Sequence, residues 1–523
     1  MNDEDLLFVP TENAPQEYAP EPRHTEDTQN KPIKKKSKLK LWLIFGISAF
    51  LIISVVLTAF VIIFSNNESF IKRETDIVLF TTAEGKILIC NNGRKIDTEL
   101  QGRYVDKSSS LGGDVCMFWV VPADSVVEDA RELYCVKNNK VTRVAADIEN
   151  YSLSSQGKAA AYITYPDTLY KTNLDGKKPK QIATGVTNYA ISPDGSSIVY
   201  TVSGYGSAQV YCFNGKESTL IGKDFPQKTS VISVSDKGSC IFIKSGDEIG
   251  VNTLYRYTKN DKKCVELCND LYLNDYYGFV YINSESTQLL YFTPDKKTYV
   301  ATPTGAVTEL YQNRLKLVLP SNVITVNNTV GIKNFFDCFY TSDGNSGNTN
   351  IHYVDKKGNE TKLVLDVTNI QISYDGDYVY YLRDRSDLCK VKAKAGAKGT
   401  TLAADIENYK LTENKNKFYF EKNDNLYYGS GDKFKRFVKG DVFSFTVISD
   451  DVCIISCEDG LLRHTGLLLK KFSGKNHSLS IYPNSAYYVD EVSDNSDEYI
   501  LFATDGKRNF EFIASSEYFK EFK

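Results

Sequence analysis

From Thr75 onward the chain repeats itself, and the spacing of the repeat limits what it can fold into. The landmark is a strand, a short turn begun by Ser or Thr, and a second strand. It reads VTNYAISPDGSSIVY at 186–200 and VTNIQISYDGDYVYY at 367–381, with weaker copies at 148–162, 229–243 and 406–420. Ser154, Ser192 and Ser235 mark turns 38 and 43 residues apart, and Ser373, Thr412 and Ser449 mark turns 39 and 37 apart. A second landmark is a strand, often holding an aromatic, that ends in an Asn/Asp-Gly or Lys-rich turn. It appears at 87–95, 133–140, 169–178, 210–216 and 254–263, and again at 351–359, 426–433 and 499–507. The segment AADIENYxL occurs at Ala145–Leu153 and again at Ala403–Leu411, 258 residues away and close to six repeat lengths.

Between the turns lie short runs rich in Val, Ile, Tyr and Phe, such as Asp76–Phe80, Ile198–Val202, Cys240–Ile243, Leu289–Phe292, Tyr378–Leu382 and Phe418–Glu421. Helical periodicity is absent, so the region reads as all-β. The 35 Tyr and 28 Phe fit that reading, since aromatics favour strands. Helical repeats of similar period are thereby excluded. A unit of about 40 residues and four short strands cannot bury both faces of its own sheet. Radial stacking hides those faces and leaves short edges, which gives β-propeller-type repeats. About 450 residues at this period make ten or eleven units, against the usual four to eight blades, so the expectation is one large propeller or two. Asp343–Asn350 (DGNSGNTN) reads as a surface loop and a candidate boundary between them.

Ser192-Pro193-Asp194-Gly195 followed by Ile198-Val199-Tyr200 resembles the WD40-like repeat of TolB-type propellers, in which an S-P-D-G turn leads into an apolar strand. Ser373-Tyr374-Asp375-Gly376 is a second match without the Pro, and the turns at Ser235 and Ser154 are degraded ones. Ser and Asp side chains cap turn amides, Pro fixes φ and Gly takes φ > 0. The resemblance implies a fold and no activity, because propellers host enzymes, binding platforms and scaffolds alike. The layout also resembles single-pass, propeller-bearing surface proteins of low-GC Gram-positive bacteria.

Ahead of the repeats, Leu41–Phe64 is a run of 24 residues without a charge. At 1.5 Å per residue it spans about 36 Å, enough to cross a ~30 Å hydrocarbon core as one transmembrane helix. Lys31, Lys34, Lys35, Lys36, Lys38 and Lys40 precede it, against Lys72 and Arg73 after it, so the positive-inside rule puts the N-terminus in the cytoplasm. The run is too long, too bulky at Val61–Phe64 and too far from residue 1 for a cleaved signal peptide. Residues 1–40 read as a disordered cytoplasmic tail: residues 1–30 hold eight acids against Arg23 alone, and four prolines. Residues 65–74 read as a short stalk, and 75–523 as the extracytoplasmic propeller region.

Residue patterns that carry chemistry are few. The formal net charge is −4, with no basic stripe, so nucleic acid is not an expected partner. Eleven cysteines are spread thinly through apolar runs and read as buried strand thiols. Cys264/Cys268 and Cys453/Cys457 stand four apart and leave a disulfide open. Zincin, P-loop, dinucleotide and nucleophile-elbow signatures are absent, and Gly204–Ala208 (GYGSA) reads as a turn. His24, His352, His464 and His477 form no motif. Asp194, Asp236 and Asp375 read as turn residues, and Val489–Glu498 as a solvated acidic loop lacking EF-hand spacing. No residue is assigned as catalytic, cofactor-binding or metal-binding.

The expected function is therefore that of a single-pass, membrane-anchored binding or scaffold protein presenting a propeller surface to a protein, peptide or cell-wall glycan. Two alternatives stand beside it. One is a surface carbohydrate-active hydrolase or lyase, which requires two or three carboxylates at one channel mouth. The other is a signalling receptor that uses the cytoplasmic tail.

Overall fold

A computed structural model describes residues 69–523 except 124–130, 247–249, 274–279, 414–416, 431–432, 441, 450–451, 459, 466–467, 473–477, 492–498, 508–509 and 517–523. The tail at 1–40 and the apolar run Leu41–Phe64 lie outside the described residues. Among those described there is no α-helix, and no helix is long and apolar enough to cross a membrane.

The described chain is a succession of small antiparallel sheets. Ten hydrogen-bonded sheets form, and one divides in two at the 13-residue strand Glu360–Ile372, which ends one four-stranded ladder and begins the next. The eleven resulting sheets are numbered 1 to 11 in chain order: 77–96, 103–146, 148–183, 186–225, 229–273, 281–311, 316–367, 367–403, 408–439, 442–472 and 478–516. Sheets 2 to 11 each have four strands joined in sequence order, while sheet 1 has three. Sheet 6 gains a further hairpin along the open edge of its first strand.

Each sheet shares a core cluster with the next. Val115 and Met117 of sheet 2 meet Ala160 and Tyr162 of sheet 3, Ile163 of sheet 3 meets Ile198 of sheet 4, and the series continues to sheet 11. It then closes, because Tyr487, Leu501 and Ala503 of sheet 11 pack on Val78, Phe80 and Leu88 of sheet 1. The first strands of neighbouring sheets approach one another, so they line the axis. Burying one large apolar side chain is worth about 1.5–3 kcal/mol. Every sheet buries several on each face, and no sheet could do so alone. The sheets thus follow one another in a single propeller-like circuit of eleven. Asp343–Asn350 is not a boundary: it is the hairpin between the second and third strands of sheet 7, Cys338–Asp343 and Thr349–Val354.

The abundance of aromatics has a positional cause. In seven sheets the second and third strands place two rings directly opposite each other; Phe339–Tyr353 of sheet 7 is tilted, and the other six sheets hold Phe118–Tyr134, Tyr162–Tyr170, Tyr200–Tyr211, Tyr291–Tyr299, Phe420–Tyr427 and Tyr488–Phe502. These last six pairs stack, with centroids 4.8 to 5.8 Å apart. Such cross-strand pairs are the unit of sheet stabilisation.

A circuit of eleven sheets leaves more space at its axis than inner side chains can fill, and two segments enter it. Residues 318–333 form a hairpin, Thr325–Val326 with Thr329–Val330, whose second strand pairs in parallel with the first strand of sheet 6. Its tip, Asn327-Asn328, has φ of 47° and 64°, the two-residue turn that suits a tight hairpin. Residues 69–76 form a strap. Phe70 sits in the cluster between sheets 6 and 7 and bridges Ile332. Ile71 N–H donates to Gly331 O at 2.6 Å, and Glu74 N–H reaches Gly112 O of sheet 2 at 3.0 Å. Residues 69–74 of the stretch read as a stalk are thus bound into the sheets.

Candidate functional site

At one end of the sheets the Ser-led turns form a hydrogen-bonded series. In the clearest copy Ser192 Oγ accepts Ser197 N–H at 3.0 Å and donates to Asp194 Oδ1 at 2.8 Å, while Ser196 N–H donates to the same carboxylate oxygen. Ser373 and Asp375 repeat the arrangement. Turns also bond to their neighbours: Leu111 N–H to Ser155 O, Gln156 N–H to Pro193 O, and Asp194 N–H to Asp236 Oδ1 at 2.9 Å. Burial raises the Asp236 carboxyl above its usual range. Burial acts on Asp194 as well, but hydrogen bonds from Ser196, Ser192 and Asp236 outweigh it and hold that carboxyl low. The recurring acids are turn residues, as the sequence indicates, and additionally link one sheet to the next.

The tyrosine of the N-Y motif is a clamp between sheets. The hydroxyl of Tyr151 donates to Met117 O at 3.0 Å, that of Tyr189 to Ala161 O at 3.3 Å, and that of Tyr409 to Asn369 O at 2.5 Å. Each reaches back to the preceding sheet, and burial pushes all three phenols upward. This gives a common role to the Tyr of both AADIENYxL copies and to Tyr189 of VTNYAI.

The other end of the axis holds a recess of about 860 Å³ between the first strands of sheets 4, 5 and 6 and the axial hairpin. Its wall includes Thr187, Asn188, Gln227, Ser230, Asn327 and Asn328. Asn188 Oδ1 accepts Val231 N–H at 2.8 Å, and Asn327 Nδ2 donates to Ser108 Oγ of sheet 2 at 3.4 Å. A deeper chamber of about 180 Å³ shares Val231, Ile232, Ile282 and Asn327 with it and continues toward the turn end past Ser155, Tyr189 and Ser233. There Ser155 Oγ and Ser233 Oγ are buried without a hydrogen-bond partner. An unsatisfied buried hydroxyl costs about 1–3 kcal/mol, so these two positions carry a local cost beside the chamber. No carboxylate lies among the described residues of either chamber.

A second recess, of about 530 Å³, lies at the turn end around the strap. Lys72, Arg73, Arg94 and Lys507 line it together with Glu74, Glu413 and Asp505. Arg73 Nε pairs with the buried Asp76 carboxylate at 2.6 Å.

The histidines are distributed differently. His352 is fully buried in sheet 7, its Nε2 2.7 Å from Ser342 Oγ and its Nδ1 2.6 Å from Glu360 Oε1, with the Tyr311 ring against it. Burial lowers its pKa despite Glu360. None of the three recesses described above is lined by this serine–histidine–glutamate series, which satisfies polar groups at the junction of sheets 6 and 7. His464 is buried among Tyr419, Tyr428 and Phe437. His24 and His477 lie outside the described residues. Glu407, Glu421 and Asp424 bring their carboxylates within 4.8 Å of one another on sheet 9. Burial, then the charges of its two neighbours, raises Glu421.

The cysteines are reduced thiols, eight buried and three half-buried. Cys264 and Cys268 share one strand, as do Cys453 and Cys457. Four residues of strand separate their Cα atoms by about 13 Å, far beyond a disulfide's reach, so neither pair can bridge as spacing alone had allowed. Gly204–Ala208 is the hairpin turn between the second and third strands of sheet 4, closed by Gly204 N–H to Ser207 O. Of the acidic stretch, residues 489–491 end a strand of sheet 11, and 492–498 lie outside the described residues.

No protein-family model matches the chain, and no curated protein matches its sequence. Among solved structures it is similar to dipeptidyl peptidase 4 of Porphyromonas gingivalis, with 12% identity over 65% of this chain and 61% of that one and a TM-score of 0.38. It is similar to a eukaryotic initiation factor, with 14% identity over 64% and 88% and a TM-score of 0.40. TolB from Acinetobacter baumannii gives 13% identity over 62% and 79% and a TM-score of 0.28. The chain thus spans under two thirds of the peptidase. The propeller-like description rests on the closed succession of core clusters and does not depend on these likenesses.

Proposed function

We propose that this chain is a single-pass membrane protein that holds a propeller-like binding platform outside the cell, with its N-terminus in the cytoplasm. The observation that carries the binding half of this reading is the two-chamber recess at the axis. It is walled by amides and hydroxyls, lacks described carboxylates, and contains two buried hydroxyls without partners. Rigid strands that hold a few polar groups around a concave, partly apolar space are the usual form of a ligand site. The anchoring half is supported by the uncharged run Leu41–Phe64 and the lysines ahead of it. Protease added to intact cells is expected to remove epitopes after Phe64 and spare the N-terminal tail. Recovery of the chain from soluble cytosol overturns the reading.

A surface carbohydrate-active hydrolase is the second reading, favoured by the three carboxylates that line the turn-end recess. It predicts release of reducing ends from a cell-wall polysaccharide, lost in Glu413→Gln or Asp505→Asn. Absence of release from every polysaccharide tested removes it.

A further inference from the structure

We infer that the axial recess takes a neutral, polyhydroxylated ligand, a short oligosaccharide. The inference deepens the binding-platform reading and rests on it.

Volume comes first. About 860 Å³, with a further 180 Å³ beneath, falls in the range of small-molecule sites and is too small for a folded partner. The wall chemistry narrows the class. Asn188, Gln227 and Asn327 each use one amide atom within the protein, Oδ1 toward Val231 N–H, Nε2 toward Gly204 O and Nδ2 toward Ser108 Oγ, which leaves the other amide atom of each for a ligand beside Asn328 and the hydroxyl of Ser230. A sugar hydroxyl is likewise donor and acceptor, so it can satisfy either half of an amide. Val231, Ile232, Val280 and Ile282 supply the apolar patch on which the C–H face of a pyranose can lie. At the deep end Ser155 and Ser233 line the chamber and add two hydroxyl-bearing residues to its wall.

Charged and peptide ligands fit less well. Among the described residues of either chamber no carboxylate is placed to pair with a cationic ligand. Lys228 and Lys244 also line the recess, and both already interact with other groups of the protein. An extended peptide would seek open strand edges. The edge of sheet 6 is covered by Thr329–Val330, and Asn188 has taken Val231 N–H on the edge of sheet 5.

The test uses the full-length chain purified in detergent micelles. It is titrated calorimetrically with neutral oligosaccharides (N-acetylglucosamine oligomers, glucans, mannans and galactans), with sulfated and uronic-acid oligosaccharides, and with a peptide pool. Saturable binding of a neutral oligosaccharide is expected. Ser233→Ala should weaken it about 3- to 10-fold. Ser230→Trp and Gln227→Trp, which fill the mouth from positions outside the core clusters, should abolish it while the thermal melt stays that of the parent. Lys216→Ala, in an exposed turn at the opposite end of sheet 4, should leave it unchanged. Unaltered glycan binding in both tryptophan variants overturns the assignment of the site. Binding of only charged glycans or peptides, blocked by the same variants, overturns the ligand class and leaves the platform reading standing. No binding by any of the probes overturns this inference, while the topology experiment decides the platform's location separately.

Discussion

A single residue in this chain is usually defined by what it touches in the next sheet. Ser192 holds its own turn, but Asp194 and Asp236 join two turns, and Tyr189 reaches a carbonyl of the sheet before it. The cysteines show the same dependence on surroundings. Burial pushes the thiols of Cys212 and Cys264 up to about 11, and those of Cys90, Cys135, Cys240 and Cys338 to about 12. The thiolate is the reactive form, so at pH 8 about 0.1 % of a pKa-11 thiol is available, rising tenfold per pH unit up to its pKa. A disulfide reagent at pH 8 is therefore expected to label at most the three half-buried cysteines, Cys212, Cys264 and Cys268, and slowly, with the rate increasing through pH 9 and 10. All eleven should react in denaturant. Rapid native labelling of more than three would contradict the packing described.

At the scale of an element, the turn that opens each repeat is the part most legible in the sequence. The marker residues Ser154, Ser192, Ser235 and Ser373 all stand at turns between first and second strands, and the strand at Leu289–Phe292 begins and ends where its apolar run does. Gly195 shows why the turn sequence is demanding. Its φ is +70°, and a Cβ there would stand 2.5 Å from Ala159 Cβ in the preceding sheet. Gly206, in a hairpin turn of the same sheet, has φ +88° but nothing within 4 Å. Gly206→Ala should cost only the backbone strain, about 1 kcal/mol, whereas Gly195→Ala should cost that plus a clash with a packed neighbour, about 2–4 kcal/mol in all. Urea denaturation of the two variants distinguishes them, and equal losses would mean the turns do not interlock. Less legible were the weak copies. The turn at Ser110 in sheet 2 has the same Ser-capped geometry, with Ser110 Oγ accepting Val115 N–H at 3.2 Å. Its sequence, SSLGGD, carries the Asp two places late. In sheet 6, Asn283 takes the role of the serine.

For the molecule as a whole, the consequence of eleven sheets is an axis that has to be filled. The strap and the hairpin at 318–333 do this, and Phe70 is the strap's anchor. It is 8 % exposed within the cluster between sheets 6 and 7, and its ring also stands where a Cβ on Gly376 would be. Phe70→Ala should destabilise by about 3–5 kcal/mol and speed limited proteolysis within the strap. A variant with the parent's melt and cleavage pattern would mean the strap lies loose and the axis is open. The filled axis also bears on function: the hairpin divides the space, so the axis carries recesses at its two ends.

The sequence by itself determined the β class, the repeat length, the position of the Ser-led turns and the uncharged run ahead of them. Each follows from local chemistry: strand propensity, turn capping, or hydropathy over two dozen residues. Closure of the circuit, the filling of its axis and the unpartnered hydroxyls at 155 and 233 were decided only by tertiary structure. They depend on which side chains from sheets hundreds of residues apart arrive at one place, as Tyr487 does at Phe80. No local spacing encodes that meeting.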